Sequence, residues 1–155
     1  MVIFLGVLIV QPIVNMTKYN LFIDDERFPV GGTIKSAFEL TGDKRYYELE
    51  WVIVRNFEDF VKTIEENGLP DVISFDHDLK DAHYHHYQIY TVFTGKIDYT
   101  VVEGTGYECA KWLCRSYLPD HDLDFPTTLI HTENTVGRAN IIGEIRNYRK
   151  SRGQL

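Results

Sequence analysis

From residue 19 onward the chain is punctuated by four short apolar runs, each cut off by polar side chains: Tyr19–Ile23, Trp51–Val54, Val72–Phe75 and Thr127–Ile130. Runs of this length bounded by turn residues are the pattern of strands buried on both faces of a parallel sheet. Helical periodicity fills the gaps. Asn56 is a candidate N-cap for a helix over Phe57–Glu66, in which Phe57, Phe60, Val61 and Ile64 recur at spacings of three and four. Asn67-Gly68 stops that helix and Pro70 seals the stop. A second helix is predicted over Thr105–Tyr117, with Tyr107, Ala110, Trp112, Leu113 and Tyr117 largely on one side and Leu118-Pro119 as its end. A third opens at Gly137-Arg138-Ala139-Asn140, with Ile141, Ile142 and Ile145 as its buried stripe. Residues 34–47 are ambiguous, with a short helix around Ser36–Leu40. Gln88–Val102, rich in Ile, Tyr, Val and Thr around Gly95-Lys96, reads as a β-hairpin inserted after the third strand.

The order β–loop–β–α–β–hairpin–α–β–α predicts an α/β fold, doubly wound, with a mainly parallel sheet and an inserted hairpin. A length of 155 residues fits one domain with its own core. Residues 1–15 are set apart as an N-terminal extension. The apolar run Met1–Val10 is too short for a bilayer, which needs about 20 residues, and it lacks the basic start and small-residue cleavage site of a signal peptide. Met16 opens a fresh polar start, so residues 16–155 are taken as the domain and 1–15 as a mis-assigned start, with a membrane-associated leader as the alternative.

Charge sharpens this outline. The net charge of −7 makes the surface as a whole a poor general binder of nucleic acid. Five basic residues lie between Arg138 and Arg152 against the single acid Glu144, which leaves the remainder of the chain at −11. Cys109 and Cys114 sit five residues apart on a predicted helix, roughly 7.5 Å along its axis, too far for an unstrained bridge. Two such cysteines point to a reducing compartment, hence to the cytoplasm.

The chemistry is concentrated where the strands end. In open α/β sheets ligands bind outside the carboxyl ends of the strands. There the sequence places Asp24 and Asp25 after the first strand, Asp76, His77 and Asp78 after the third, and His131 after the fourth. Carboxylates gathered at one rim raise each other's pKa unless a cation neutralises them. A hard divalent ion such as Mg²⁺ suits an all-oxygen donor set of Asp24, Asp25 and Asp76. His131 or His77 would move a proton, with Asp78 as the orienting carboxylate. His131 is preferred, because alternation along the strand turns His77 away. Arg27 and Asn134 are candidates to bind phosphate oxygens, and free backbone N–H groups near Gly137–Asn140 offer an anion site. His83, His85 and His86 fall in the hairpin region and read as part of a flap over the site, a metal cluster being the lesser alternative.

Leu-Phe-Ile-Asp24-Asp25-Glu-Arg27-x-Pro29, Ile-Ser74-x-Asp76-His77-Asp78-Leu79, Gly104-Thr-Gly106-Tyr and Ile-His131-Thr-x-Asn134 with a later Asn140-Ile141 together resemble the cyclic-phosphate processing receiver-like family, over about residues 19–145. The resemblance implies a receiver-derived, flavodoxin-like fold and a role on cyclic phosphate ends of nucleotides or RNA, in RNA repair or phage–host conflict. Asp24, Asp25 and Asp76 match the receiver's metal pocket and phosphoacceptor, and Thr132 falls at the receiver's switch Ser/Thr; Asn140 joins the phosphate-binding set. The receiver's fifth strand ending in Lys is missing, which argues against ordinary phosphorelay. The expected activity is metal-assisted hydrolysis of a phosphoester, with a phosphorylated nucleotide or RNA end as partner and no stable membrane association. Two alternatives stand beside it. One is a haloacid-dehalogenase-like phosphatase with Asp76 as nucleophile, and the other is a non-catalytic module that binds Mg²⁺ and a phosphorylated ligand.

Overall fold

The computed structural model describes residues 18–78 and 106–155. The 1–15 extension, the Gln88–Val102 hairpin and the His83/His85/His86 cluster lie outside the described residues. Four strands, β1 (Asn20–Ile23), β2 (Trp51–Val54), β3 (Val72–Phe75) and β4 (Thr127–Ile130), form one sheet in the order β2-β1-β3-β4. Every neighbouring pair is parallel, with Ile23 level with Val54 and Phe75, and Phe75 level with Ile130. All four carboxyl ends therefore share one rim. The connection from β1 to β2 runs one way across the sheet, and those from β2 to β3 and β3 to β4 run the other way. Right-handed crossovers then place the connecting segments on opposite faces and open a crevice between β1 and β3. This is the receiver/flavodoxin-like arrangement.

Alternation along the strands supplies both faces. Leu21, Ile23, Val54, Ile73 and Phe75 pack under α3 (Phe57–Asn67), α4 (Gly106–Trp112) and α6 (Thr135–Ser151), together with Phe60, Ile64, Cys109, Leu113, Ile141 and Ile145. Phe22 and Leu129 face the other way, against Ala37 of α1 (Ala37–Thr41) and Tyr46 of α2 (Arg45–Glu48). Fully burying each such Leu, Ile or Phe contributes about 1.5–3 kcal/mol, so the larger cluster holds most of the fold's apolar stabilisation. α1 is fixed by a reciprocal cap: Ser36 Oγ accepts from Glu39 N–H at 3.3 Å and Glu39 Oε2 accepts from Ser36 N–H at 2.8 Å. α3 starts where Asn56 accepts from Asp59 N–H at 2.8 Å and stops at Gly68.

Two helix boundaries differ from the expected ones. Pro119 does not end the second helix. α4 passes into a π-helical stretch, Leu113–Tyr117, and then into α5 (Leu118–His121). A wider turn drops the i−4 bond that proline cannot make, so the ring is accommodated. The last helix opens at Thr135, capped by the Asn134 side chain on Gly137 N–H at 2.8 Å, two residues before the expected Gly137. Its buried stripe is Ile141, Ile145 and Tyr148; Ile142, expected inside, is 47% exposed. Cys109 and Cys114 are buried and unbridged.

β4 is an edge strand on its outer side. Thr127 and His131 N–H groups donate inward to Asp71 and Phe75 carbonyls, so the alternate residues Thr128 and Ile130 turn their amides outward. Two outward carbonyls are occupied by guanidinium groups of α6: Arg138 Nη1 donates to Ile130 at 3.1 Å and Arg149 Nη2 to Pro126 at 3.2 Å. Among the described residues no helix is long and apolar enough to cross a membrane.

Candidate metal and phosphate site

Because β1, β3 and β4 are neighbours, the polar residues that follow them meet at one rim. Asp24 and Asp76 leave adjacent strands and are almost wholly buried, at 0% and 2% exposure, while Asp25 is half-buried beside them. One carboxylate oxygen from each of Asp24, Asp25 and Asp76 lies within 4.8 Å of the others. Their charge states differ. Burial pushes the Asp24 carboxyl up, yet hydrogen bonds from His131 and from the Arg27 and Glu26 N–H groups outweigh it and hold the group below the usual aspartate range. Asp76 is raised above that range, by burial first and then by the Asp24 charge. A divalent cation fits this set: three hard oxygen donors converge, and the strain between two of their charges is what a cation would relieve.

Asp24 is the most constrained member. Its Oδ1 accepts from Glu26 N–H at 2.8 Å and Arg27 N–H at 2.6 Å, which turns the chain sharply at the end of β1. Arg55 clamps that turn from β2's end, donating from Nη1 to the Asp24 carbonyl at 3.0 Å and the Arg27 carbonyl at 2.6 Å, with its plane over Phe28. The turn aims Arg27 back across the rim. Its Nη1 stands 3.8 Å from Asp24 and 3.7 Å from Asp76, and Nη2 bonds Glu133 at 3.1 Å. Arg27 is therefore the counter-charge of the acidic cluster and adjoins any anion bound there.

His131 lies beneath the rim. It is 1% exposed and stacked on Phe22 at 4.4 Å between ring centres. Both ring nitrogens are taken: Nε2 lies 3.0 Å from Asp24 Oδ2 and Nδ1 2.7 Å from Ser74 Oγ, which is 2.8 Å from the Tyr46 hydroxyl. One assignment satisfies the whole chain, with Tyr46 O–H donating to Ser74, Ser74 O–H to Nδ1, and Nε2–H to Asp24. Burial pushes the Tyr46 hydroxyl up to about 12, so it stays a donor. His131, expected to move the proton, is thus sealed from solvent with both nitrogens engaged, a place suited to holding Asp24 still.

His77, expected to turn away from the site, follows the end of the strand. β3 ends at Phe75, so strand alternation no longer governs residue 77, and the ring packs against Gly137 of α6. A β-carbon on Gly137 would come within 2.1 Å of this ring, so the glycine makes its seat. His77 Nδ1 lies 2.8 Å from Asp78 Oδ1, and Asn134 Nδ2 donates to Asp78 Oδ1 at 3.2 Å. Nε2 bonds none of the described residues. A carboxylate on Nδ1 with Nε2 left over is the arrangement of a proton carrier.

The remaining residues divide. The Thr132 hydroxyl favours the charged form of Asp76 and accepts from Asn134 N–H at 3.1 Å, which places it at the rim. Asn134 acts through Asp78 and the cap of α6. Asn140 is exposed in the second turn of α6 and bonds none of the described residues, so no contact brings it to the rim. The anion site expected at Gly137–Asn140 is closed at two of its amides, because Gly137 N–H goes to Asn134 Oδ1 and Arg138 N–H to the Asn134 carbonyl at 2.9 Å. Gly106 completes the rim: its N–H bonds the His77 carbonyl at 3.0 Å, and a β-carbon there would lie 1.7 Å from the Asp76 carbonyl oxygen. Ser74, Tyr46 and Arg55 were not anticipated as part of the site.

The family model described as "Cyclic-phosphate processing Receiver domain" matches residues 19–147, which contain every described residue of the rim. No curated protein and no solved structure matches the chain.

Proposed function

The chain belongs to the cyclic-phosphate processing receiver family, and from that premise we propose that it hydrolyses cyclic phosphate ends of nucleotides or RNA with the help of a divalent cation. The observation that carries the reading is the trio Asp24, Asp25 and Asp76, whose oxygens lie within 4.8 Å of one another while the Asp24 charge raises Asp76. These three would hold Mg²⁺, which supplies Lewis acidity and charge neutralisation at a phosphate oxygen. The protein's own groups do the rest. Arg27 and Thr132 bind the phosphate oxygens that face the rim. His77 Nε2 takes a proton from the attacking water and returns one to the departing ribose oxygen as one P–O bond forms and another breaks. Asp78 and Asn134 keep the His77 ring in that orientation, and His131 fixes the Asp24 carboxylate from below.

The dehalogenase-like alternative gains no separate support. It assigns to Asp76 an attack on phosphorus, whereas the two other carboxylates within 4.8 Å make Asp76 one donor of a cation trio. The test is an end-group assay on an oligoribonucleotide carrying a 2′,3′-cyclic phosphate, with Mg²⁺ and with chelator. The expected product is a phosphomonoester, formed only with metal, abolished by Asp25→Ala and slowed about 10²–10⁴-fold by His77→Ala. An unchanged end group under both conditions overturns the reading. An aspartyl-phosphate trapped on Asp76 would favour the dehalogenase-like chemistry instead.

A further inference from the structure

Away from the rim, along the outer edge of β4, lies a cavity of about 700 Å³ between α6 and the α1–α2 segment. Four arginines line it, Arg45, Arg138, Arg146 and Arg149, and Asp43 is its one acidic side chain, with the terminal residue Leu155 also at its wall. Asp43 is already bound to Arg45 at 2.6 Å, and none of the other three guanidinium groups forms an ion pair with a described residue. Arg138 spends one N–H on the Ile130 carbonyl at the end of β4 and Arg149 one on the Pro126 carbonyl just before it, and the exposed Arg146 side chain bonds none of the described residues. On a chain of net charge −7 this is a strong local reversal of sign.

We propose that this groove holds the phosphate backbone of a single-stranded polynucleotide whose end lies at the acidic rim. The inference rests on the reading of the rim as a site for cyclic phosphate ends. The geometry is linear: Arg138 to Arg149 spans roughly 16 Å of helix axis at about 1.5 Å per residue, more than one phosphate can reach. One end of the groove lies at the rim, because Arg138 bonds the carbonyl of Ile130, the last residue of β4, and the rim is formed where the strands end. The groove floor offers donors, the outward N–H groups of Thr128 and Ile130, which suit phosphate oxygens. An extended peptide fits less well, since it must also donate, and the outward carbonyls of Pro126 and Ile130 are already occupied. A positive groove that tracks a backbone is how single strands are held without sequence preference.

The experiment is fluorescence anisotropy of a labelled single-stranded oligoribonucleotide with an ordinary 3′-hydroxyl end, so that the groove is read without the rim. Arg146→Glu is expected to weaken binding at least about tenfold. Arg146→Ala should lower the slope of log K against log salt by about 0.7, with Arg146→Lys restoring most of it. Lys62→Glu, an equal charge change on exposed α3, should leave binding near wild type. Equal losses in Arg146→Glu and Lys62→Glu, no loss in either, or displacement by a mononucleotide as readily as by the oligomer would each overturn the proposal. An extended acidic peptide that binds with Arg146 dependence while the oligomer does not would also overturn it, in favour of strand addition. Arg146-dependent binding in a protein that never alters a cyclic phosphate end upholds the groove and removes the rim reading, so the two fail separately.

Discussion

Asp76 and His131 are two buried polar residues of opposite character, and each makes its own prediction. His131 satisfies Asp24 Oδ2 on one nitrogen and Ser74 on the other, so His131→Ala takes one buried partner from each, leaving Asp24 its two backbone N–H donors and Ser74 its bond with Tyr46. The loss expected is about 2–4 kcal/mol in denaturant unfolding. Cation affinity should drop about 10–100-fold, as for other residues that orient a ligand from behind, read by titration calorimetry. If His131 were instead the proton carrier, its replacement would change the pH–rate profile and leave affinity alone. Asp76 gives a signed dependence on pH. Its raised pKa means that the fold favours the protonated form. That contribution is fully present below the ordinary aspartate pKa and is lost as pH rises through the raised value. Asp76→Asn keeps the neutral shape, so without metal it should match wild type in acid and exceed it near neutrality, by about 1.4 kcal/mol for each tenfold change in proton affinity relieved. Unfolding curves across that pH range test this, and a gain that is constant with pH would refute the cause.

Among the elements, what the sequence made legible follows from how local each cause is. The four strands could be read directly because a buried parallel strand is a contiguous apolar run, and Asp24, Asp25, Asp76 and Thr132 follow from where those runs stop. α3 could be read from its cap and its three-and-four spacing. The start of α6 was within reach, since Asn134 lies three residues before the Gly137 amide it caps, but the glycine drew the boundary to itself. The continuation past Pro119 was out of reach, because the π-helical turn that absorbs the ring carries no periodicity of its own. The depth of His131 was equally hidden. It depends on Phe22 beneath it and on Tyr46, delivered by the segment 34–47 whose pattern was ambiguous. Ser74 offered a partial hint as a lone hydroxyl inside an apolar strand, on the face opposite Ile73 and Phe75.

At the scale of the whole molecule, the proposed cation binding would be linked to folding, because Asp24, Asp25 and Asp76 meet only once β1 and β3 are paired. An ion held by the folded chain alone stabilises it by about 2.7 kcal/mol at a hundredfold excess over its Kd, so Mg²⁺ should raise the melting temperature of the wild type and not that of Asp25→Ala. The bond from Gly106 N–H to the His77 carbonyl has a different consequence. The chain leaves the sheet after Phe75 and enters α4 at Gly106, one hydrogen bond from residue 77, so the two ends of the intervening stretch are tied together whatever its course. Closure entropy grows only logarithmically, about 0.6 kcal/mol per doubling of length. With its ends tied in this way, exchange of residues 79–105 for a short Gly/Ser linker is expected to leave the melting temperature within a few degrees of wild type. Loss of folding on that exchange would show that the bond alone does not seat α4 beside the sheet. Retained folding would make the carboxylate cluster independent of the length of that connection.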